Sequence, residues 1–167
     1  MSARGRGLLL SAGLADAAIA FFHLGVIAVG APAYRYFGAG EGLVRKAEEG
    51  SILPAALTTG AAGVFVLFAA YAFSAAGMLT PLPRLRAALV SISVIYLLRG
   101  LSALPQGIAL ARAPELLPPR FFLFSLVALA VGLLHAAGTA RTWRWENGDS
   151  HLFPLAQSRR SSYNGKR

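Results

Sequence analysis

The chain contains no cysteine. Disulfides, thiolate chemistry, cysteine-ligated iron–sulfur clusters and cysteine zinc sites are therefore excluded. Charge is scarce as well. Only 14% of the 167 residues are Asp, Glu, Lys or Arg, where soluble domains carry roughly 25%. A chain this poor in charge and 56% hydrophobic is a membrane protein or insoluble. Acids are the rarer sign, seven against sixteen Lys and Arg, giving a formal charge of +9. In a soluble protein that excess would point to nucleic acid. No recognition fold or basic–aromatic module accompanies it, and basic residues beside membrane spans set topology instead. Nucleic acid is therefore not an expected partner.

Catalytic signatures are missing too. There is no GxSxG, Walker or dinucleotide-binding motif, and Gly38-Ala39-Gly40 lacks the third glycine and the preceding strand. The serines have no neighbouring base. No two His or acidic residues stand three or four apart within an apolar run, as HExxH or ExxH would require, so no metal site is expected. These absences argue against an enzyme and against a resident cofactor.

What the chain does have is four apolar runs, at residues 8–31, 52–77, 87–104 and 121–140. Each is near the 20 or so residues that cross a hydrocarbon core of about 30 Å. The expected fold is all-α, an integral membrane bundle of four transmembrane helices occupying residues 1–142. Residues 143–167 form a basic tail, with Trp143 and Trp145 as an interfacial anchor and the remainder disordered. The first run, about 24 residues interrupted by Asp16, exceeds a signal-peptide core and reads as an uncleaved span.

The connections differ in character. Residues 32–51 are long for a link between neighbouring helices. Pro32 closes the first span, and Tyr34, Tyr36 and Phe37 suit the bilayer interface. Gly38 and Gly40 break the chain. Glu41 to Glu49 reads as a short surface helix, with Glu41, Arg45 and Glu49 spaced i,i+4. Ser51 is the expected cap of the second span. In that span Ala55, Thr59 and Gly63 form a small-residue stripe that reads as a packing face. Thr58 and Thr59 are expected to bond back to the backbone. Pro105 starts a third connection, in which IALARAPELL reads as an interfacial helix. In the fourth span Ser125, Ala128, Gly132 and His135 share a face expected to look inward.

One residue conflicts with its surroundings. Arg99 lies inside the third apolar run and cannot shed its proton. A charge at membrane depth costs at least a few kcal/mol unless it snorkels or meets a partner. Depth along alternating spans sorts the polar residues into two levels. His23, Arg99 and Tyr96 fall in the outer half, with Glu41, Glu48 and Glu49 as the nearest acids for Arg99. Asp16, His135 and Tyr71 fall in the inner half. Two-histidine haem ligation is disfavoured, because His23 and His135 differ in depth by roughly 10–13 Å.

The four-span pattern resembles, in size and hydropathy, the small four-helix bacterial inner-membrane proteins, among them the loosely defined DoxX-like group. That resemblance implies a multi-pass protein of the inner membrane and transfers no activity. Three functions follow from the residues. The first is an interior polar cavity that binds or passes a small polar or anionic solute, with proton coupling, through Asp16, His23, Arg99 and His135. The second is an accessory subunit packed against a partner or a second copy. The third is a quinone-linked redox component.

Lys and Arg divide ten to five between the two sides of the alternating spans, and six to five without the far tail. Both termini are therefore expected in the cytoplasm. A reporter active only in the cytoplasm should work when fused after Arg144 and fail when fused at Glu49; the opposite pattern would reverse the orientation.

Overall fold

The computed structural model describes residues 3–115 and 117–149, with the last seven described by backbone alone. The chain is all-α. Among the described residues the helices are α1 (Ala3–Val29), α2 (Ala31–Phe37), α3 (Glu41–Glu48), α4 (Leu53–Ala75), α5 (Leu85–Leu101), α6 (Ala103–Arg112) and α7 (Pro119–Asp149). Four segments are long and apolar enough to cross a membrane: Ala3–Val29, Leu53–Ala75, Leu85–Arg112 and Pro119–Thr142. Large apolar side chains stand exposed along them, Phe21 at 74% and Leu98 at 62% among others. Water-soluble monomers rarely show so much contiguous apolar surface; lipid makes it inexpensive.

The third span departs from the expected 87–104. Only Ser102 separates α5 from α6, and the two together form a 28-residue span. Pro105 does not end the helix, because it lies in the first turn of α6, where a missing N–H breaks no intrahelical bond. The Gln106 N–H donates to Ser102 O at 3.2 Å and carries the chain across the junction. The helix stops before Pro114, at Ala113, which has an extended φ of −151°. The expected interfacial helix is thus largely the far half of a span. Pro32 likewise starts a helix instead of closing one. Gly30, at φ 77°, makes the turn after α1, and Pro32 lies in the first turn of α2. At the other end, backbone helix continues to Asp149, beyond the expected boundary at 142. The Trp143 and Trp145 side chains and residues 150–167, with the expected anchor and disorder, lie outside the described residues.

Helix ends in the connections share one device. After α2, α3 and α4 a glycine with φ near +75° reverses the chain, at Gly38, Gly50 and Gly77. Each time the glycine N–H and the next N–H reach back three and five residues, as Ala39 N does to Tyr34 O at 2.9 Å. This Schellman pattern closes the orphan carbonyls of a helix end, and only glycine takes that φ without a Cβ penalty.

The chain divides into two compact units, one of Leu10–Ile92 and one of Met1–Leu9 with Ser93–Arg167. In the first, α1 runs antiparallel to α4, with Gly13 against Phe73 and Ala72 and His23 against Phe65. Val26, Ala33, Tyr34 and Val44 form a small core under α2 and α3. The expected packing stripe of α4 is not a packing face within this unit: Thr59 and Gly63 are exposed, and the buried residues are Pro54, Ala62, Ala69, Ala72, Ser74 and Ala75. The stripe is offset from the buried one by about one residue's rotation, which small-residue spacing alone does not resolve.

In the second unit α5 and α7 pack backbone to backbone. A Cβ on Gly100 would lie 2.6 Å from Leu129 Cα, and one on Gly132 would lie 3.0 Å from Leu97 N. The α7 face of Ser125, Ala128, Gly132 and His135 is buried, as its spacing implies. Close glycine contacts of this kind are a main source of association between helices in lipid.

Gly100→Ala and Gly132→Ala should each lower the stability of the detergent-solubilised protein by about 1–3 kcal/mol, the range for overpacking. Gly63→Ala, where a Cβ would meet nothing within 4 Å, should be neutral or slightly stabilising in the same thermal unfolding assay. Equal losses at all three would contradict the close α5–α7 approach.

Candidate functional site

In the second unit, polar chemistry gathers at the α5–α6 junction. Arg99 is residue 15 of the 28 in its span. About 20 Å of helix separate it from the Arg112 end, well beyond the reach of its side chain. The guanidinium Nη1 donates to Ser125 Oγ at 2.7 Å. Ser125 is fully buried. Its single proton is shared between Gln106 Oε1 at 2.7 Å and the Phe121 carbonyl at 3.1 Å. Three helices thus converge on one hydroxyl: α5 supplies the cation, α7 the relay and α6 the terminal amide.

Among the described residues Arg99 is held by a neutral group. Of its five N–H donors, one is used in this chain of bonds, and the residue is otherwise exposed. Two of the three acids expected near it pair within their own segment. Glu48 pairs with Arg35 at 2.7 Å and Glu49 with Arg45 at 3.8 Å, both at exposed positions. Glu41 stands exposed in the first turn of α3, where a carboxylate favours the helix dipole.

Tyr96 does not share a level with Arg99. Its ring stacks on His135, with centroids 5.8 Å apart and planes 15° from parallel. Three residues before Arg99 on a helix amount to about 4.5 Å of rise, enough to move Tyr96 into the next layer against α7. His135 is completely buried and Tyr96 nearly so. Asp16, in the other unit, is also completely buried. Tyr71 serves the backbone: its hydroxyl donates to Pro83 O at 3.3 Å, beside Ser74, which binds Thr80 O and Leu82 N. These bonds fasten the 76–84 link to the end of α4.

His23 occupies a second setting, in the first unit. A pocket of about 270 Å³ is lined by Phe22, His23, Val26, Tyr34, Phe37 and Thr58, among others. His23 Nδ1 lies 2.7 Å from Ile19 O. A carbonyl only accepts, so Nδ1 carries the proton, and in the neutral ring Nε2 is an acceptor. Tyr34 is buried, and its hydroxyl has no hydrogen-bond partner among the described residues. An unsatisfied buried hydroxyl costs about 1–3 kcal/mol. Tyr34 was expected at the interface with Tyr36; only Tyr36 is exposed there. The sequence signal that sets them apart is helical phase, since Ala33 and Tyr34 face the Val26–Val44 core.

Comparison with protein-family models, with curated proteins and with solved structures finds no match.

Geometry alone carries the functional reading. Among the described residues no group of three His, Cys, Asp or Glu could hold a metal ion. Ser125 and Gln106 escaped sequence reasoning as partners of Arg99, because Gln106 seemed to lie in a loop after Pro105. Helical phase did place Ser125 on the inward face.

Ser125→Ala should destabilise the protein by about 1–3 kcal/mol, since it removes the hydrogen bond from Arg99 and leaves the half-buried Gln106 carbonyl without its donor. Thr59→Ala, which loses only a bond to its own helix at Ala55 O, should cost no more than about 0.5 kcal/mol. Chemical denaturation in mixed micelles measures both; equal effects would remove Ser125 from the centre of the site.

Proposed function

We propose that the protein is a multi-pass protein of the inner membrane, with both termini cytoplasmic, that binds a small polar or anionic solute at Arg99. One observation supports this most: a permanent cation, halfway along an apolar span, is held by a neutral hydroxyl and otherwise exposed. A structural arginine at that depth is normally neutralised by a carboxylate. Here the hydrogen bond to Ser125 orients the guanidinium and leaves most of its fork for a ligand. Arg suits carboxylate and phosphate groups because two parallel N–H bonds can form at once. A solute bound there would replace water and supply the missing negative charge. In a proton-coupled version of this function, the buried Asp16 and His135 are the titratable groups to use.

The second reading is an accessory subunit, favoured by the exposed small-residue stripe of α4. Thr59 and Gly63 line an apolar groove of about 500 Å³ with Phe21, Leu24, Val66 and Phe73. Small residues exposed on a span admit another helix closely. In this reading a partner's carboxylate, not a solute, meets Arg99.

Acetate, benzoate and inorganic phosphate titrated into the nanodisc-embedded protein separate the two. A saturable rise in thermal midpoint with one of them is expected for the wild type. Arg99→Gln should weaken that anion at least ten-fold, the loss of one charge-assisted bond of about 1.5–3 kcal/mol. An unchanged response in Arg99→Gln would refute the solute reading. So would the absence of any response in a protein that native mass spectrometry finds bound to another membrane chain.

A further inference from the structure

Arg99 brings one positive charge to its site, and the groups bonded with it add no second. Ser125 and Gln106 are neutral. The next cation on α7, Arg120, lies five residues before Ser125, with its guanidinium carbon 5.1 Å from the centre of the Phe121 ring. Arg112 is thirteen residues further along the span, about 20 Å of helix. A single negative charge therefore balances the site. A carboxylate carries one. A phosphate monoester carries about −1.5 to −2 at pH 7 and would leave an excess charge in an apolar span. With Nη1 on Ser125, the Nε–Nη2 edge of the guanidinium keeps two parallel N–H groups, which match the two coplanar oxygens of a carboxylate.

The open side of the site is apolar. Arg99 is exposed at the edge of the α5 face that packs on α7. Tyr96 and Gly100 on one side of it are buried, and Ile95 and Leu98 on the other are exposed. Leu126, next to Ser125 on α7, is exposed as well. In a membrane these side chains meet hydrocarbon, which is as apolar as they are. A small hydrophilic anion taking this route would shed its hydration before it met the cation. An amphiphilic acid already has its hydrocarbon part in lipid, where each methylene favours the bilayer roughly four-fold, about 0.8 kcal/mol. Only its carboxylate has to be carried to Arg99.

We propose that the anion bound at Arg99 is the carboxylate of a membrane-partitioned amphiphile, a monocarboxylic acid with an apolar chain, which reaches the guanidinium from the bilayer past Ile95 and Leu98. This rests on the reading of Arg99 as an anion site and adds the ligand's charge, its apolar part and its route. The chain stays in lipid beside α5, so the fold needs no enclosed cavity for it. The diester phosphate of a lipid also carries one charge, but it belongs to the headgroup layer, and Arg99 is midway along its span.

The test measures binding of radiolabelled acetate and octanoate to the full chain in phosphatidylcholine nanodiscs, by equilibrium dialysis at neutral pH with empty discs as the blank. Octanol and octyl phosphate compete as the uncharged and the more highly charged chain. Octanoate should bind saturably and at least 100-fold tighter than acetate, judged by aqueous concentration, because each further methylene adds roughly four-fold. Octanol and octyl phosphate should each compete at least ten-fold more weakly than unlabelled octanoate. These comparisons need only the wild type. Arg99→Gln should in addition weaken octanoate at least ten-fold. Equal affinities for acetate and octanoate, both lost in Arg99→Gln, would overturn this proposal and leave the anion reading standing. Absence of any Arg99-dependent anion binding would overturn both. The carboxylate is also overturned if octanol or octyl phosphate matches octanoate. The same holds if native mass spectrometry finds phosphatidylglycerol retained by the wild type and not by Arg99→Gln.

Discussion

The charge on Arg99 cannot be removed by deprotonation, so everything around it must make that charge tolerable. In lipid the options are a carboxylate, a route to water, or strong neutral dipoles. The second unit uses a dipole. Ser125 is buried on α7 at the one place where a hydroxyl can take a bond from α5 and pass one to α6. That geometry needs α5 and α7 close together, and Gly100 and Gly132 allow the approach. It also needs helix to continue past Ser102, which brings Gln106 back towards α7. The glycines, the Pro105 junction and the polar chain are parts of one arrangement. A hydroxyl lowers the cost of the cation without cancelling its charge, and most of the guanidinium's donors stay outside this chain of bonds.

Hydroxyl groups elsewhere show how unusual this is. Thr58, Thr59 and Thr142 each donate to the carbonyl four residues back in their own helix. Ser74 spends its capacity on the link after α4. Such bonds satisfy the side chain locally and ask nothing of a neighbour. Ser125 makes the same local bond to Phe121 O and then two more across helices. Tyr34 makes none.

The spans were legible because their lengths and composition leave no other use for them, and the inward face of α7 followed from three- and four-residue steps. The surface helix at α3 and the back-bonded threonines were equally local. What failed depended on distinguishing two meanings of one residue. Proline either ends a helix or opens one, and at Pro32 and Pro105 the second meaning held because each follows a turn residue, Gly30 or Ser102, that restarts the hydrogen-bond ladder. The stripe of Ala55, Thr59 and Gly63 has the spacing of a packing face, yet the alanines one position round the helix are buried instead. Tyr96 was placed by its distance from Arg99 along the chain, when rise per residue moves it a layer away to His135. Partner choice across helices, such as Arg99 with Ser125, depends on register between segments, which one sequence does not encode visibly.

The two polar settings differ in charge, and composition explains why both can exist in a chain with so few charges. The setting around Arg99 has one fixed cation and neutral support. The setting around His23 and Tyr34 is lined by phenylalanines and has no fixed charge. In lipid the second is the cheaper to build, because aromatic walls cost nothing to bury and each polar group can stay neutral. The first carries a standing cost whenever it is empty. That asymmetry explains the investment around Arg99 in glycine contacts and a three-residue polar chain, whereas the His23 pocket needs only one carbonyl to fix its imidazole. The buried Tyr34 hydroxyl, without a partner among the described residues, is a cost of about 1–3 kcal/mol in that setting.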